Sequence, residues 1–413
     1  MMNNPKPISE FLVPGKRAHL VGIGGVSMSP LAEVLHDAGL DIRGSDMAES
    51  SNTLTLRERG IPIHIGHSAD NVTDDISFVI RTAAVHDDNP EVHEAHRRGI
   101  PVFERTQAWG ALMRGYQNAL CISGTHGKTT TTSMCTHIMM AAEKDPTVMI
   151  GGTLPLLKAC HRVGKGNTII MESCEYYNSF LALNPTIAVV LNIEADHLDF
   201  FKDLEDIKHS FRCFAERVPV ETGTVIANYD DANTMDALRG IARKVITFGL
   251  NAKADVYAQN IVHRGSVSEF DIYHRGNYFA RVTLHVPGIH NVRNALAATA
   301  AAIVLGVSPN AVKYGLAGFE GAGRRFDFKG KFQGADLYDD YAHHPSELRA
   351  LLDAVDTLNY QRTIVVFQPH TYSRTAKLFN DFVEQLRRPT IVYLAEIYAA
   401  REKNTIGISS ADL

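Results

Sequence analysis

The 413-residue sequence is poor in cysteine and rich in nothing that marks an extracellular scaffold. Cys121, Cys135, Cys160, Cys174 and Cys213 are odd in number and contain no C-x-x-C pair. That excludes a closed disulfide framework and a thiolate zinc site, and it suits a reducing cytoplasm. No run of about 18 apolar residues occurs, and the first residues lack an apolar stretch followed by a small-residue cleavage site, so neither membrane insertion nor export is expected. Basic residues are not in excess: 41 Lys and Arg stand against 46 Asp and Glu. A nucleic-acid footprint is therefore not expected. With 45% hydrophobic and 21% charged residues, the chain is neither disordered nor fibrous. It carries no internal repeat and no low-complexity tract.

What is present is an alternation of short apolar β-rich runs with helical patterns, the signature of parallel βαβ units and an α/β architecture. The length calls for two to four domains. One series occupies about the first hundred residues, starting with a strand over 17–23 and a helix over 29–37 that Gly39 ends. Residues 110–118 read as a connector. A second series opens with the strand 119–123, a glycine turn and a Thr-rich helix. Over 255–286 the period changes to two, with a turn at Arg275, Gly276 and Asn277, which predicts an antiparallel annex to the central sheet. A third series follows GAGRRF at 321–326, with strands over 336–341, 363–367 and 390–394 and helices over 346–355 and 376–387.

The strongest local signal is SGTHGKTTTT at 123–132, between an apolar strand and a helix. Such a turn aims backbone N–H groups at an anion, Lys128 adds a mobile positive charge, and a Thr hydroxyl can hold Mg²⁺. The turn is G-x-x-G-K-T, shorter than the usual G-x-x-x-x-G-K-[ST]. GIGGVSMS at 22–29, followed by Asp46, resembles a dinucleotide-binding turn, but Ser27 stands at its third glycine. Glu172 and Glu175 in MESCEYYNSF, and Glu194, Asp196, His197 and Asp199 in NIEADHLDF, follow apolar strands. In an open parallel sheet these positions face the ligand crevice, so they are candidate Mg²⁺ ligands or helix caps. His290, Asn291 and Asn294 lie on one face of a helix start, suited to a base edge or to capping. Arg324 and Arg325 sit in a glycine-flanked turn, a place for a phosphate clamp. The loops YDDYAHHPSE at 338–347 and QPHTYSRT at 368–375 look like two walls of a substrate pocket.

Taken in order, GIGGVSMS, GTHGKTT, the Glu172/Glu175 segment, EADHLD, GIHNVRN, GAGRRFD, DDYAHHP and QPHTYSRT make the chain resemble the Mur ligase family over essentially its whole length. The resemblance implies a Rossmann-like N-terminal domain over 1–106 that binds a UDP-sugar. It also implies a central P-loop ATPase domain over 107–322 and a Rossmann-like C-terminal domain over 323–413. Carried over by position, Gly124, Thr125, His126, Gly127, Lys128, Thr129 and Thr130 would wrap the ATP phosphates. Thr129 would hold one Mg²⁺, with Glu175 and His197 holding a second. His290, Asn291 and Asn294 would lie at the adenine, and Arg325 at the phosphates. His370 and Arg374, with His344 nearby, would line the site for an amino-acid carboxylate, and Gly24, Gly25, Ser45, Asp46 and His67 would approach the UDP group.

The implied reaction joins L-alanine to UDP-N-acetylmuramate through an acyl phosphate, in a cytoplasmic monomer or weak homodimer. A relative that recycles a murein tripeptide would share the same ATP chemistry. Two positions depart from the pattern. Where several relatives carry a carbamylated lysine, this chain has Arg212. Only 91 residues follow Ala322, fewer than the family's last domain holds, so an incomplete C-terminal sheet is expected. Outside the family, an NAD-dependent dehydrogenase would leave GTHGKTT without a role. A GTPase switch would need N-K-x-D, which NAKAD at 251–255 does not supply.

Overall fold

The structure, a computed structural model, describes residues 6–82, 84–400 and 402–413. The N-terminal sheet comprises β1 (Arg17–Val21), β2 (Asp41–Asp46), β3 (Ile63–Ile65), β4 (Phe78–Arg81) and β5 (Val102–Glu104), in the spatial order β3-β2-β1-β4-β5 and parallel throughout. Central β1 is buried from Ala18 to Val21 because helices cover both of its faces. The helix Ser29–Asp37 starts with Pro30 in its first turn, and Gly39 follows it at a φ of 86°.

The central sheet has ten strands: β6 (Asn118–Ser123), β7 (Thr147–Leu154), β8 (Ala159–Arg162), β9 (Thr168–Glu172), β10 (Ile187–Val190), β11 (Thr224–Asn228), β12 (Lys244–Gly249), β13 (Val256–Arg264), β14 (Val267–His274) and β15 (Asn277–Leu284). Their order is β15-β14-β13-β12-β11-β10-β6-β9-β7-β8. The expected annex is present: β13 pairs antiparallel with β14, and β14 with β15. Arg275 and Gly276 both have positive φ, the conformation that a two-residue hairpin loop demands. The helices Lys128–Ala141, Ile289–Val304 and Pro309–Ala317 pack on one face of this sheet around Ile138, Ala298 and Leu316.

Several sequence expectations need correction. The stretch read as a connector from residue 110 begins inside the helix Arg105–Met113. This helix is structural glue: a Cβ on Gly110 would lie 2.0 Å from the carbonyl oxygen of Ala182, so glycine alone permits that approach. Trp109 and Met113 join the N-terminal core to Phe180 and Phe211 on the other face of the central sheet. The single helix expected over 376–387 is two, Tyr372–Lys377 and Phe379–Leu386, broken at Leu378.

The third unit departs further. β16 (Asp327–Phe332) and β17 (Ala335–Asp339) form an antiparallel hairpin, while β18 (Ile364–Phe367) and β19 (Ile391–Leu394) form a separate parallel pair. The two His-rich loops therefore do not follow neighbouring strands of one sheet. The alternation of residues 327–339 suits a hairpin as well as a crossover strand, and the Gln333–Gly334 turn, both residues at positive φ, decides for the hairpin.

Candidate active site

The phosphate turn leaves β6 at Ser123 and enters the helix Lys128–Ala141. Gly124 (φ 146°) and Gly127 (φ 83°) make it possible. A Cβ on Gly124 would come 2.8 Å from that of Leu191, and one on Gly127 would come 2.6 Å from Asn294 Oδ1. Asn192 clamps the turn by accepting from the His126 backbone N–H (2.8 Å) and donating to the His126 carbonyl (3.1 Å). The following N–H groups, at the helix start, remain directed outward.

Lys128 Nζ donates to the carbonyls of Gly124 (2.5 Å) and Thr125 (3.1 Å) and to Glu175 Oε2 (3.0 Å). Burial opposes its charge, but the neighbouring carboxylates, Glu175 first, outweigh that and raise its pKa. Thr129 Oγ1 donates to Glu172 Oε1 (3.1 Å), and Glu172 Oε2 accepts from the Gly151 N–H (2.6 Å). His197 Nε2 lies 3.7 Å from Glu175 Oε1, and its ring stacks on Tyr176. Burial lowers the His197 pKa against the pull of Asp196 and Glu175. Thr129 with Glu172, and Lys128 and His197 with Glu175, thus form two polar contacts beside the turn.

A cavity of about 690 Å³ opens over the turn. His290, Asn291, Asn294 and Arg325 also line it, so the sequence-predicted adenine and phosphate residues share one chamber with residues 125–130. Asn294 Nδ2 donates to Asn291 Oδ1 (3.2 Å), and Asn291 Nδ2 donates to the Pro287 carbonyl (2.7 Å). Both asparagines are thus oriented by their own helix start. Burial pushes the His290 pKa down to about 4. The guanidinium groups of Arg324 and Arg325 lie over the Tyr341 ring, and of the two only Arg325 lines the cavity.

Although the C-terminal loops follow unrelated strands, tertiary packing brings them together. The His343 and His370 rings lie 5.5 Å apart. Arg374 Nη1 contacts His370 Nδ1 (3.0 Å), while Arg374 Nη2 and Nε both reach Asp196 Oδ1, at 2.8 and 3.1 Å. Burial, with help from Arg374 and His343, lowers the His370 pKa to about 4. His344 caps the helix Pro345–Asp356, and its ring centroid is 4.9 Å from that of His126. His126 Nδ1 sits 3.1 Å from Glu347 Oε1, and Nε2 sits 3.5 Å from Glu194 Oε2. Burial disfavours the imidazolium there, but the two carboxylates overcome it and raise the pKa to about 9.

In the N-terminal domain, Gly24, Gly25, Ser45, Asp46 and His67 gather at the carboxyl ends of β1 and β2. Asp46 Oδ2 accepts from the Gly24 N–H (2.8 Å), and Ser45 Oγ lies 3.0 Å from His67 Nδ1. Arg212 donates to the carbonyls of Ala237 and Arg239, a structural tie.

Sequence reasoning passed over Glu91, Asn192, Glu347 and Arg105. Glu91 is fully buried, accepts from Ser45 Oγ (2.5 Å) and pairs with His67. Arg105 lines a second cavity, of about 180 Å³, that runs from Val26 and Ser27 to Glu172. Among the described residues no carboxylate oxygen lies within ion-pair distance of its guanidinium. An arginine that opens a helix carries no signal by itself; only its place between two domains marks it.

Comparison with known sequences gives three consecutive family matches. Residues 17–117 match the Mur ligase family catalytic domain, 122–302 the Mur ligase middle domain and 324–410 the Mur ligase glutamate ligase domain. The chain belongs to the Mur ligase family. Within it, this ligase is 47% identical over 396 residues to a UDP-N-acetylmuramate–L-alanine ligase of Agathobacter rectalis, covering 96% of this chain and 86% of the relative. It is 42% identical over 399 residues to the enzyme of that name from Clostridium perfringens. The crystal structure of the Thermotoga maritima UDP-N-acetylmuramate–alanine ligase superposes with a TM-score of 0.77 at 31% identity, over 92% of this chain and 85% of that one. The Mur ligase fold also accounts for the parallel N-terminal sheet and the mixed central sheet described above.

Proposed function

We propose that this Mur ligase joins L-alanine to UDP-N-acetylmuramate, with ATP converted to ADP and phosphate, as the first peptide step of peptidoglycan precursor synthesis. The observation that carries the reading is the shared chamber: phosphate turn, paired asparagines and Arg325 line one cavity, and the Arg374–His370 pair lies beside its carboxylate edge. The identities to L-alanine ligases over nearly the whole chain support the choice of substrates.

A carboxylate is a poor electrophile, so its conversion to an acyl phosphate supplies the leaving group that an amine can displace. Phosphoryl transfer of this kind depends on positioning and on charge stabilisation. Lys128 and the N–H groups at the helix start face the transferring phosphoryl group, and Arg325 closes over it from the third domain. Thr129, Glu175 and His197 would hold Mg²⁺, which supplies further neutralisation of the phosphates. Arg374 and His370 offer the positive charge and hydrogen bonds that an amino-acid carboxylate needs. The neutral His370 suits a donor or acceptor role near pH 7. The cavity between Ser27, Arg105 and Glu172 leads from the proposed sugar-nucleotide site toward the phosphate turn. The muramate carboxylate would travel that way. Contact between the C-terminal loops and the turn excludes water that would hydrolyse the acyl phosphate.

Phosphate release is the direct test. It is expected only when ATP, UDP-N-acetylmuramate and an amino acid are all present, with L-alanine preferred over glycine and L-serine. Release that ignores the sugar nucleotide, or that prefers a tripeptide as the incoming nucleophile, would overturn the reading.

A further inference from the structure

A buried polar cluster in the N-terminal domain takes no part in the phosphoryl chemistry. Its centre is the carboxylate of Glu91, fully buried in the first turn of the helix Pro90–Arg97. Oε2 accepts from Ser45 Oγ (2.5 Å) and lies 3.1 Å from His67 Nδ1, while Oε1 accepts from Asn71 Nδ2 (2.6 Å). Asn71 Nδ2 also donates to the Gly66 carbonyl (3.2 Å), which ties the chain just before His67 to the same cluster. His19, buried on β1, places Nε2 3.5 Å from Glu91 Oε2. Burial opposes the charge on Glu91, but His19 first, then Ser45 and Asn71, outweigh it and hold the carboxyl at about 2.

The protons of this cluster can be assigned from its distances. Ser45 Oγ is also 3.0 Å from His67 Nδ1, so hydroxyl, ring nitrogen and carboxylate oxygen form a closed triangle. An ionised carboxylate only accepts, and a hydroxyl has one proton to donate. Ser45 directs that proton to Glu91, and its oxygen can then only accept from His67. Nδ1 must therefore carry a hydrogen, since a bare Nδ1 would set its lone pair against that of Glu91 Oε2 at 3.1 Å. In the neutral ring this leaves the lone pair on Nε2. Among the described residues no hydrogen bond engages Nε2, and the His67 side chain keeps 11% of its surface exposed.

We propose that Glu91 is a positioning residue of the sugar-nucleotide site. It locks the Ser45 hydroxyl and the Nδ1–H form of His67, so that His67 Nε2 accepts a hydrogen bond from the UDP group, from the uracil N3–H or from a ribose hydroxyl. This role rests on the reading of the N-terminal domain as the UDP-binding one. The lock also sets a preference: a ligand that presents an acceptor to Nε2 meets lone pair against lone pair and is rejected.

Histidine side-chain ¹⁵N NMR of the full chain tests the lock where the ring is neutral. In the ligand-free, unsubstituted protein the His67 signal, identified by its loss in His67→Gln, should show Nδ1 protonated and Nε2 bare. Addition of UDP should move the Nε2 resonance and leave Nδ1 protonated. N3-methylated UDP and 2′,3′-dideoxy-UDP then name the donor, because the analogue that lacks it leaves Nε2 in place while the other acts as UDP does. Calorimetric titration with UDP gives a second reading. Glu91→Gln should weaken UDP binding about tenfold, the worth of a charge-assisted hydrogen bond. In a His67→Gln background the same change should cost nothing further, a non-additivity that a merely structural role does not produce. An Nε2–H form in the free protein, an Nε2 that bound UDP does not move, or additive losses overturn the proposal. The first two are read without substituting Glu91, so they decide even where Glu91→Gln fails to fold. Absence of any UDP binding would remove the sugar-nucleotide reading and this role with it; failure of the role alone shows as UDP that binds with Nε2 unmoved.

Discussion

At the scale of single residues, the centre of the candidate site is a set of buried charges that balance one another. Lys128 and Glu175 are both largely withdrawn from water and neutralise each other. Removing one partner leaves the other as an uncompensated buried charge. Lys128→Met is therefore expected to destabilise the fold by about 3 kcal/mol and to reduce ATP-dependent phosphate release by 10²-fold or more, as an electrostatic stabiliser of transferring phosphate should. Urea unfolding and initial rates measure the two effects separately.

His126 gives a second residue-scale prediction, with a defined sign. Its folded-state pKa is raised from 6.5 to about 9, so the stability it contributes is full below about pH 6.5 and is lost as pH rises through about 9. Its partner Glu194 is held down at about 2, so that half of the interaction is lost only as pH falls from about 4.5 toward 2. The stability difference between the unsubstituted protein and His126→Gln should thus shrink between pH 6.5 and 9, by about 3 kcal/mol at most. A difference that grows with pH would contradict the assignment of the imidazolium.

At the scale of elements, the phosphate turn depends on the start of another helix. Gly127 caps the helix Lys128–Ala141 in the left-handed region, and Asn294 of the helix Ile289–Val304 fills the space a side chain would need. Gly127→Ala should cost about 1–2 kcal/mol in folding. It should weaken nucleotide binding more than that, because Asn294 must move with it. Calorimetric titration with ATP, compared with the melting shift, separates the two effects. Most elements were legible in the sequence. Apolar runs identify β1, β6 and β9 to β12. β7 and β8 were not legible, since β7 contains two adjacent glycines and β8 is short and polar. β7 is held between β9 and β8, and β8 forms the sheet edge.

At the scale of the molecule, the domains meet through a few identifiable contacts. The single tryptophan, Trp109, is buried and donates to the Ser27 carbonyl at 3.3 Å, inside the first glycine turn. Binding of UDP-N-acetylmuramate at that turn should change its emission, whereas ATP alone should change it far less. Arg105, one turn away on the same helix, should matter for the same ligand. Arg105→Ala is expected to raise the KM for UDP-N-acetylmuramate about tenfold, the loss of one charge-assisted hydrogen bond, with the KM for ATP little changed. Steady-state kinetics with each substrate varied in turn decides between this and a general loss of activity.

The sequence by itself determined the α/β class, the glycine turns and the family, because periodicity and turn chemistry are local properties that survive without neighbours. It also named most of the candidate residues, since their motifs are contiguous. Tertiary structure alone decided which of them meet. Arg374 finds Asp196, His126 finds Glu347, and His161 finds Glu33 across separations of more than a hundred residues. Such pairs depend on how domains dock, and docking is set by shape and burial along whole surfaces. No spacing in the chain encodes them.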